Sequence, residues 1–246
     1  MFSLSHLYYP WGFILQILAL VHLVRRRAAF YWFWIILAGG FVGALAYIVV
    51  EVLPDAYLLR NAFDGFARRA RIRDVETAIL DNPSAGNFED LADLLREQKE
   101  YAKAREAYDR AISIRSDSVH AFYYRALCAL AMNDFSGAIE DLEHVVRKDS
   151  KFDYHRAAAL LAHAYAMTGQ NENAASLFAE VTQYSTIPET FYNYACFLKS
   201  QDRLPEAREW AQKTINKKRT MPRYMQRRER PWFGKAKDLL KELPSA

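Results

Sequence analysis

Between Asn87 and Ile215 apolar positions recur at a near-constant interval. In the stretch His120 to Val146, HAFYYRALCALAMNDFSGAIEDLEHVV, Phe122, Ala126 and Ala129 fall on one face of a first helix. Ala138, Leu142 and Val145 fall on one face of a second, and Asn133-Asp134 marks the turn between them. The i, i+4, i+7 spacing is that of a buried stripe. Neither helix buries its stripe alone, and small residues at the crossing let the two axes approach to roughly 8–10 Å. The pattern sits 34 positions earlier as Phe88, Leu91, Ala92 and Leu95, then Ala104, Tyr108 and Ala111. It returns 36 positions later as Ala158, Leu161, Ala162 and Tyr165, then Ala174, Phe178 and Val181. A fourth copy follows after 33 more, as Phe191, Tyr194, Ala195 and Leu198, then Ala207, Ala211 and Thr214. Pro188 and Pro205 mark the first turns of its two helices.

These residues resemble the tetratricopeptide repeat, in which helix A carries a large residue, a Leu, a small residue and a Tyr-like residue, and helix B an Ala, an aromatic and an Ala. The resemblance covers roughly Asn87 to Ile215 and implies an α-solenoid of about four repeats. Arg125 stands where the second repeat usually has Leu, and Ser116 and Ser150 where Pro usually closes a repeat. Looser turns between repeats are expected there, within the same fold.

The N-terminal region has a different pattern. Mean hydropathy of the whole chain is −0.20, yet residues 7 to 52 carry almost no charge outside Arg25-Arg26-Arg27. As helices, Leu7 to Val24 would be about 27 Å long and Tyr31 to Val52 about 33 Å, and a hydrocarbon core is roughly 30 Å thick. An Arg at the centre of a span costs on the order of 3 kcal/mol, so the triplet is expected at a membrane surface, as the turn of a two-helix transmembrane hairpin. A cleaved signal peptide fits less well: no basic segment precedes the apolar run, and arginines rather than small residues follow it. Tyr8, Tyr9 and Trp11, with Tyr31, Trp32 and Trp34, are expected as interfacial belts. Gln16 is expected to hydrogen-bond the neighbouring helix, and the small residues Gly39, Gly40, Gly43 and Ala44 to admit its backbone closely.

The basic turn, the aromatic FYWFW, Gly43-x-x-x-Tyr47 and the acidic exit at Glu51 together resemble the N-terminal membrane segment of phospholipase D-type cardiolipin synthases. Gly40 stands where that family commonly has Pro, and the resemblance covers about fifty residues. The family's catalytic H-x-K-x4-D motif is absent: none of the six histidines has Lys two positions on. The resemblance therefore implies an anchor and no phospholipid chemistry.

From Pro54 to Leu80 the arginines Arg60, Arg68, Arg69, Arg71 and Arg73 interleave with Leu58, Leu59, Phe63 and Phe66. Such a helix suits anionic headgroups, each nearby cation contributing about 1 kcal/mol. It equally suits packing on the first repeat, which Val75, Ile79 and Leu80 favour for its last turns. After Ile215 comes the basic run Lys217, Lys218, Arg219, Arg223, Arg227, Arg228 and Arg230. A closing helix from Pro231 to Leu243 then places Trp232, Ala236, Leu239 and Leu240 on one side. That is the pattern of a cap on the last repeat, its charges solvated; no stacking aromatics accompany the arginines, and no nucleic-acid partner is expected. The expected organisation is all-α: a transmembrane anchor over 1–53, a juxtamembrane connector over 54–84, four repeats over 85–216 and a basic capping segment over 217–246.

Cys128 and Cys196 lie two repeats apart and predict neither a disulfide nor a zinc site. His155 and His163 are eight apart, too far for shared metal ligation on one helix. No phosphate loop or nucleophile–base arrangement is present. No catalytic, cofactor or metal residue is assigned. The remaining candidate is the concave face, lined in such repeats by first-helix positions not used in packing. Those positions are Glu89, Asp93 and Arg96; Tyr123, Leu127 and Leu130; Arg156, His163 and Met167; and Tyr192, Cys196 and Lys199. Tetratricopeptide repeats that clamp chaperone C-termini do so with Lys and Asn from the first repeat, where Glu89 and Asp93 stand, so chaperone tails are not expected. The leading expectation is a non-catalytic scaffold of a bacterial inner membrane, held in the bilayer by residues 7–52, that binds a protein or peptide partner in its groove. The alternative is an accessory subunit of a membrane lipid-synthesis enzyme acting through its hairpin. Five arginines from Arg60 to Arg73 against three at the turn favour a cytoplasmic solenoid, as do two unpaired thiols in it.

Overall fold

The computed structural model describes residues 5–26, 29–52, 57–115 and 117–244, with side chains described outside 5–11, 26 and 52–67. The expected belt at Tyr8, Tyr9 and Trp11, the arginines Arg26, Arg27 and Arg60, the apolar Leu58, Leu59, Phe63 and Phe66, and Ser116 lie outside what is described. No strand occurs among the described residues. The chain divides into two compact units, residues 1–71 and 72–246.

In the first unit α1 (Ser5–Arg26) packs on α2 (Tyr31–Tyr47), which continues as a π-helical turn over Ile48–Val52. Ala19, Leu23, Trp32, Ile36, Ala44 and Tyr47 form the core between them, while Phe13, Leu18, Val24 and Val42 face outward. Tyr31–Glu51 is long and apolar enough to cross a membrane; in α1, whose side chains are described only from Gly12, the stretch Gly12–Arg25 is apolar. The sequence led us to expect two spans of full length, and among the described residues one has it.

That stretch is not the straight helix expected. Gly40 has φ 53° and ψ −131°, which breaks the helical run inside α2. A Cβ on Gly43 would collide with the carbonyl oxygen of Ile35. A Cβ on Gly39 would meet nothing within 4 Å. Glycine tolerates positive φ because it lacks a Cβ, so Gly40 and Gly43 serve a bend within α2 rather than close approach by α1. The polar groups are satisfied within the helix pair. Gln16 Nε2 donates to the Ile36 carbonyl at 2.8 Å, the cross-helix bond expected of it. His22 Nδ1 lies 2.9 Å from the Tyr47 hydroxyl, and Trp32 Nε1 donates to Glu51 Oε1 at 3.1 Å. Trp32 is 6% exposed and edge-on to Tyr47, 5.5 Å between centroids, so it belongs to the core and not to an interfacial belt.

α3 (Tyr57–Asp81) carries the boundary between the units. Its Ile72 packs against the core of the first repeat, Val75 and Ile79 are half-buried, and Leu80, expected to pack, is 86% exposed. Four helix pairs follow: α4 (Ala85–Glu97) with α5 (Tyr101–Ile114), α6 (Val119–Ala131) with α7 (Phe135–Lys148), α8 (Phe152–Met167) with α9 (Asn171–Val181), and α10 (Pro188–Ser200) with α11 (Leu204–Lys217). A 3-10 turn over Lys218–Thr220 leads to α12 (Arg223–Arg228) and α13 (Arg230–Glu242). Ser84, Ser118 and Asp134 cap α4, α6 and α7 by accepting from the backbone N–H of Asn87, Ala121 and Gly137, which satisfies a donor the helix leaves open.

The predicted stripes are the cores. Ala92, Ala104, Tyr108 and Ala111, then Ala126, Ala138, Leu142 and Val145, then Ala162, Ala174 and Phe178, then Ala195, Leu198, Ala207 and Ala211 are fully or almost fully buried. The turn inside each pair repeats too. Lys99, Asn133, Gly169 and Asp202 all have φ between 60° and 77°, and their spacing is the 34, 36 and 33 of the side-chain pattern. The next residue's N–H in each case reaches five residues back, Glu100 to Leu95, Asp134 to Ala129, Gln170 to Tyr165 and Arg203 to Leu198, at 2.9–3.0 Å. This is the hydrogen bond of a left-handed helix C-terminus.

α13 caps α10 and α11 with Phe233, Ala236 and Leu239 buried. The cap was expected to use Trp232 on this face. Phe233 takes that place, and Trp232 turns to Tyr192, 5.6 Å between ring centroids.

Candidate concave groove

The first helices α4, α6, α8 and α10 present one face each, and the groove between them is closed at one end by α13. A cavity of about 580 Å³ lies there. Leu127, Leu130, Leu160 and Met167 give it an apolar floor, and Arg96, Arg156 and Lys235 bring positive groups to its edge, opposed by Glu189. Of the residues expected to line the groove, Arg96, Leu127, Leu130, Arg156, His163, Met167, Tyr192 and Cys196 converge on this cavity.

The other four serve different ends. Tyr123 is 2% exposed, edge-on to Phe152 at 4.9 Å. Its hydroxyl donates to Asp153 Oδ2 at 2.6 Å, and burial drives its pKa up. Tyr123 therefore joins α6 to α8 instead of offering a contact surface. Glu89 accepts from Ser118 Oγ at 2.7 Å and pairs with Arg115 at 2.8 Å. Asp93 accepts from the Tyr108 hydroxyl at 2.6 Å and pairs with Arg96 at 3.1 Å, and His120 lies within 3.5 Å of both carboxylates. The two carboxylates of the first repeat are thus neutralised by their own neighbours. Lys199 pairs with Glu242 at 2.5 Å and ties α10 to the cap.

Arg156 donates from Nε to Glu189 Oε2 at 2.8 Å. Burial works against its charge, but Glu189 and the neighbouring Tyr123 and Asp153 outweigh it, and its pKa rises. His163 is pushed below its ordinary value by burial and then by Lys235, so it is neutral at pH 7. Lys235 Nζ sits 4.4 Å from the Trp232 ring centroid and 5.8 Å from that of Tyr192, a cation held against two aromatic faces. The first turn of α8 is strained: Asp153, Tyr154 and His155 have φ of 48°, 54° and 65°, a region that costs L-residues roughly 1–2 kcal/mol each. The Tyr123 bond to Asp153 and the stacking of His155 on Tyr184, 5.4 Å between centroids, hold them there.

Sequence reasoning missed Trp232 and Lys235, because the last helix was read only as a lid on the core. The helical spacing did carry a signal: Trp232 and Lys235 are three apart and share a face, one residue out of phase with Phe233 and Ala236. It missed Glu189 and Asn193, which also line the cavity, because the repeat register counts the apolar face and leaves the flanks open. Among the described residues no cluster of three His, Cys, Asp or Glu side chains is placed to hold a metal ion.

A family model described as the tetratricopeptide repeat matches residues 72–119 and 89–151. No curated protein matches the sequence. Among solved structures, MamA 41-end from Desulfovibrio magneticus RS-1 is similar with a TM-score of 0.58 at 19% identity, over 68% of this chain and 96% of that one. A MamA RS-1 ArsTM double mutant gives 0.58 at 18%, over 67% and 95%. PilW, a widely conserved type IV pilus biogenesis factor, gives 0.55 at 16%, over 76% and 87%. At these identities the likeness shows the fold, which is a tetratricopeptide-like helical solenoid.

Proposed function

We propose that the chain is a membrane-anchored scaffold whose solenoid binds an extended peptide segment of a partner protein, without catalysis. The observation that carries this reading is the groove cavity, where side chains from four repeats and the cap surround an apolar floor with a largely basic edge. An occupant pairing an apolar or aromatic side chain with a nearby carboxylate meets both features: the floor takes the first, and Lys235 with Trp232 and Tyr192 takes the second. Aromatic anchors in desolvated pockets commonly dominate such contacts. The anchor is residues 1–53, entering the bilayer as a hairpin, followed by the connector 54–84, the repeats 85–216 and the cap 217–246. Exposed Arg69, Arg71 and Arg73 lie within reach of anionic headgroups, and the solenoid faces the cytoplasm.

The alternative, an accessory subunit acting through its hairpin, is weakened by the polar groups of α1 and α2. Gln16, His22, Trp32 and Glu51 all find partners within the pair. Polar side chains in apolar helices mark external contacts chiefly where they are left facing a partner.

Panning a displayed random-peptide library on the detergent-solubilised chain tests the groove. Met167, 54% exposed, tolerates Met167→Glu without repacking, and Trp232→Ala removes the aromatic wall. Enriched peptides should combine apolar and acidic residues and lose roughly tenfold or more in affinity to each variant. Peptides that bind both variants as well as the parent place recognition outside the groove.

A further inference from the structure

A second cavity, of about 540 Å³, lies away from the groove where the end of α11 meets α12 and α13. It is lined by Ile215, Lys218, Arg223, Gln226, Arg227, Arg230, Phe233, Gly234 and Lys237. Three elements aim cations into it. Lys218 comes from the turn after α11, and Arg223 and Arg227 stand four apart on one face of α12. Arg230 and Lys237 stand seven apart on one face of α13, the spacing that keeps helical side chains together. No carboxylate lines the cavity. Among the described residues none of the five cations makes an ion pair, whereas nearby Arg228 pairs with Glu229 at 2.8 Å. Gly234 leaves the wall open, since a Cβ there would meet nothing within 4 Å. Gln226 holds the turn before α12 by donating to the Met221 carbonyl at 2.8 Å.

Five like charges line one half-open cavity; exposed to solvent, they still stand close enough to repel one another, and folding alone gives no reason to gather them. An anion bound among them removes that cost. We propose that this cavity is a binding site for a ligand bearing two or more phosphate groups. Guanidinium groups match phosphate oxygens in a two-pronged geometry, which three arginines from two helices supply. The volume lies in the roughly 300–1,000 Å³ range of small-molecule sites. Ile215 and Phe233 are the only apolar side chains in its wall, and the others end in charged or polar groups. The phosphates belong either to a soluble compound or to anionic lipid headgroups.

The test uses the full-length chain in neutral-detergent micelles, titrated with inorganic pyrophosphate in a calorimeter. Pyrophosphate should bind, more weakly as salt is raised. Arg227→Gln/Arg230→Gln should weaken it about tenfold or more, because two charge-assisted contacts are lost, with the circular dichroism spectrum unchanged. Arg147→Gln/Lys148→Gln removes the same charge from the exposed end of α7 and should leave binding unchanged. Doping the micelles with phosphatidylinositol 4-phosphate, a lipid bearing two phosphates, separates the sources. If the lipid abolishes pyrophosphate binding in the parent, the site takes headgroups; if binding persists, it takes a soluble phosphate. Absence of pyrophosphate binding overturns the proposal, as does equal weakening by the two double variants. Citrate binding as tightly as pyrophosphate removes the phosphate assignment.

Discussion

Arg125 occupies the place in the second repeat where tetratricopeptide repeats usually carry Leu, and it has a carboxylate on either side. Nε and Nη2 grip Asp141 at 2.8 and 2.5 Å, Nη1 reaches Asp109 at 2.6 Å, and the guanidinium lies 5.3 Å from the Phe122 ring centroid. Asp141 is 3% exposed, and burial pushes its carboxyl above the ordinary value against the pull of Arg125. A buried pair adds little when complete but is expensive to break. Arg125→Leu therefore strands Asp141 and should cost about 3 kcal/mol at pH 7, and replacing Asp141 with Leu as well should recover most of it. The loss should depend on pH. A carboxyl whose folded pKa is raised binds its proton more tightly folded than unfolded, so that stability is present below the ordinary carboxylate pKa and lost as pH rises. Without Arg125 the upward shift grows, and the variant's deficit should shrink from pH 7 toward pH 4. Thermal unfolding at both ends of that window measures it, and a deficit that does not change with pH contradicts a stranded Asp141.

The four turns inside the helix pairs work at the scale of the element. Each places one residue in the left-handed region, and only Gly169 suits it fully; Lys99, Asn133 and Asp202 bear a Cβ there. Asn and Asp tolerate this conformation better than Lys. Lys99→Gly should therefore raise stability by about 0.5–1 kcal/mol, and Gly169→Ala should lower it by about 1 kcal/mol. Opposite shifts in melting temperature check the assignment, and a loss from Lys99→Gly refutes it. These turns also explain what was legible in the sequence. The core faces were, since small and large residues recur in step with the backbone geometry that demands them. Tyr123 was misplaced on the concave face because helical spacing cannot tell a flank that meets the next repeat from one that meets solvent. The break at Gly40 was hidden because the small residues Gly39, Gly40, Gly43 and Ala44 read equally well as close packing or as a bend. Trp232 and Lys235 were hidden because their role depends on how α13 docks, a contact between residues roughly forty positions apart.

At the scale of the whole molecule the proposed membrane anchor makes its own prediction, which is the side of a bilayer on which the segment between α1 and α2 and the solenoid each lie. The native thiols cannot report it. Cys128 is fully buried with its pKa pushed up to about 11 by burial, and Cys196 lines the groove with its thiol also raised, burial again the largest cause. A thiol reacts as the thiolate, so both should label slowly even with the membrane open. Introduced cysteines avoid this. Asn173→Cys is exposed on α9, Ala29→Cys is exposed just before α2, and Ser3→Cys tags the N-terminus. A hairpin with a cytoplasmic solenoid predicts that an impermeant maleimide labels Ala29→Cys in intact spheroplasts, and Asn173→Cys and Ser3→Cys only after lysis. A single span at Tyr31–Glu51 would instead leave Ser3→Cys labelled together with Ala29→Cys, because both then lie on the far side from Asn173. Labelling of Asn173→Cys before lysis puts the solenoid outside. In that case the five arginines from Arg60 to Arg73 are not the charges that orient the chain, and orientation falls to the triplet Arg25 to Arg27, which sits closer to the apolar segments.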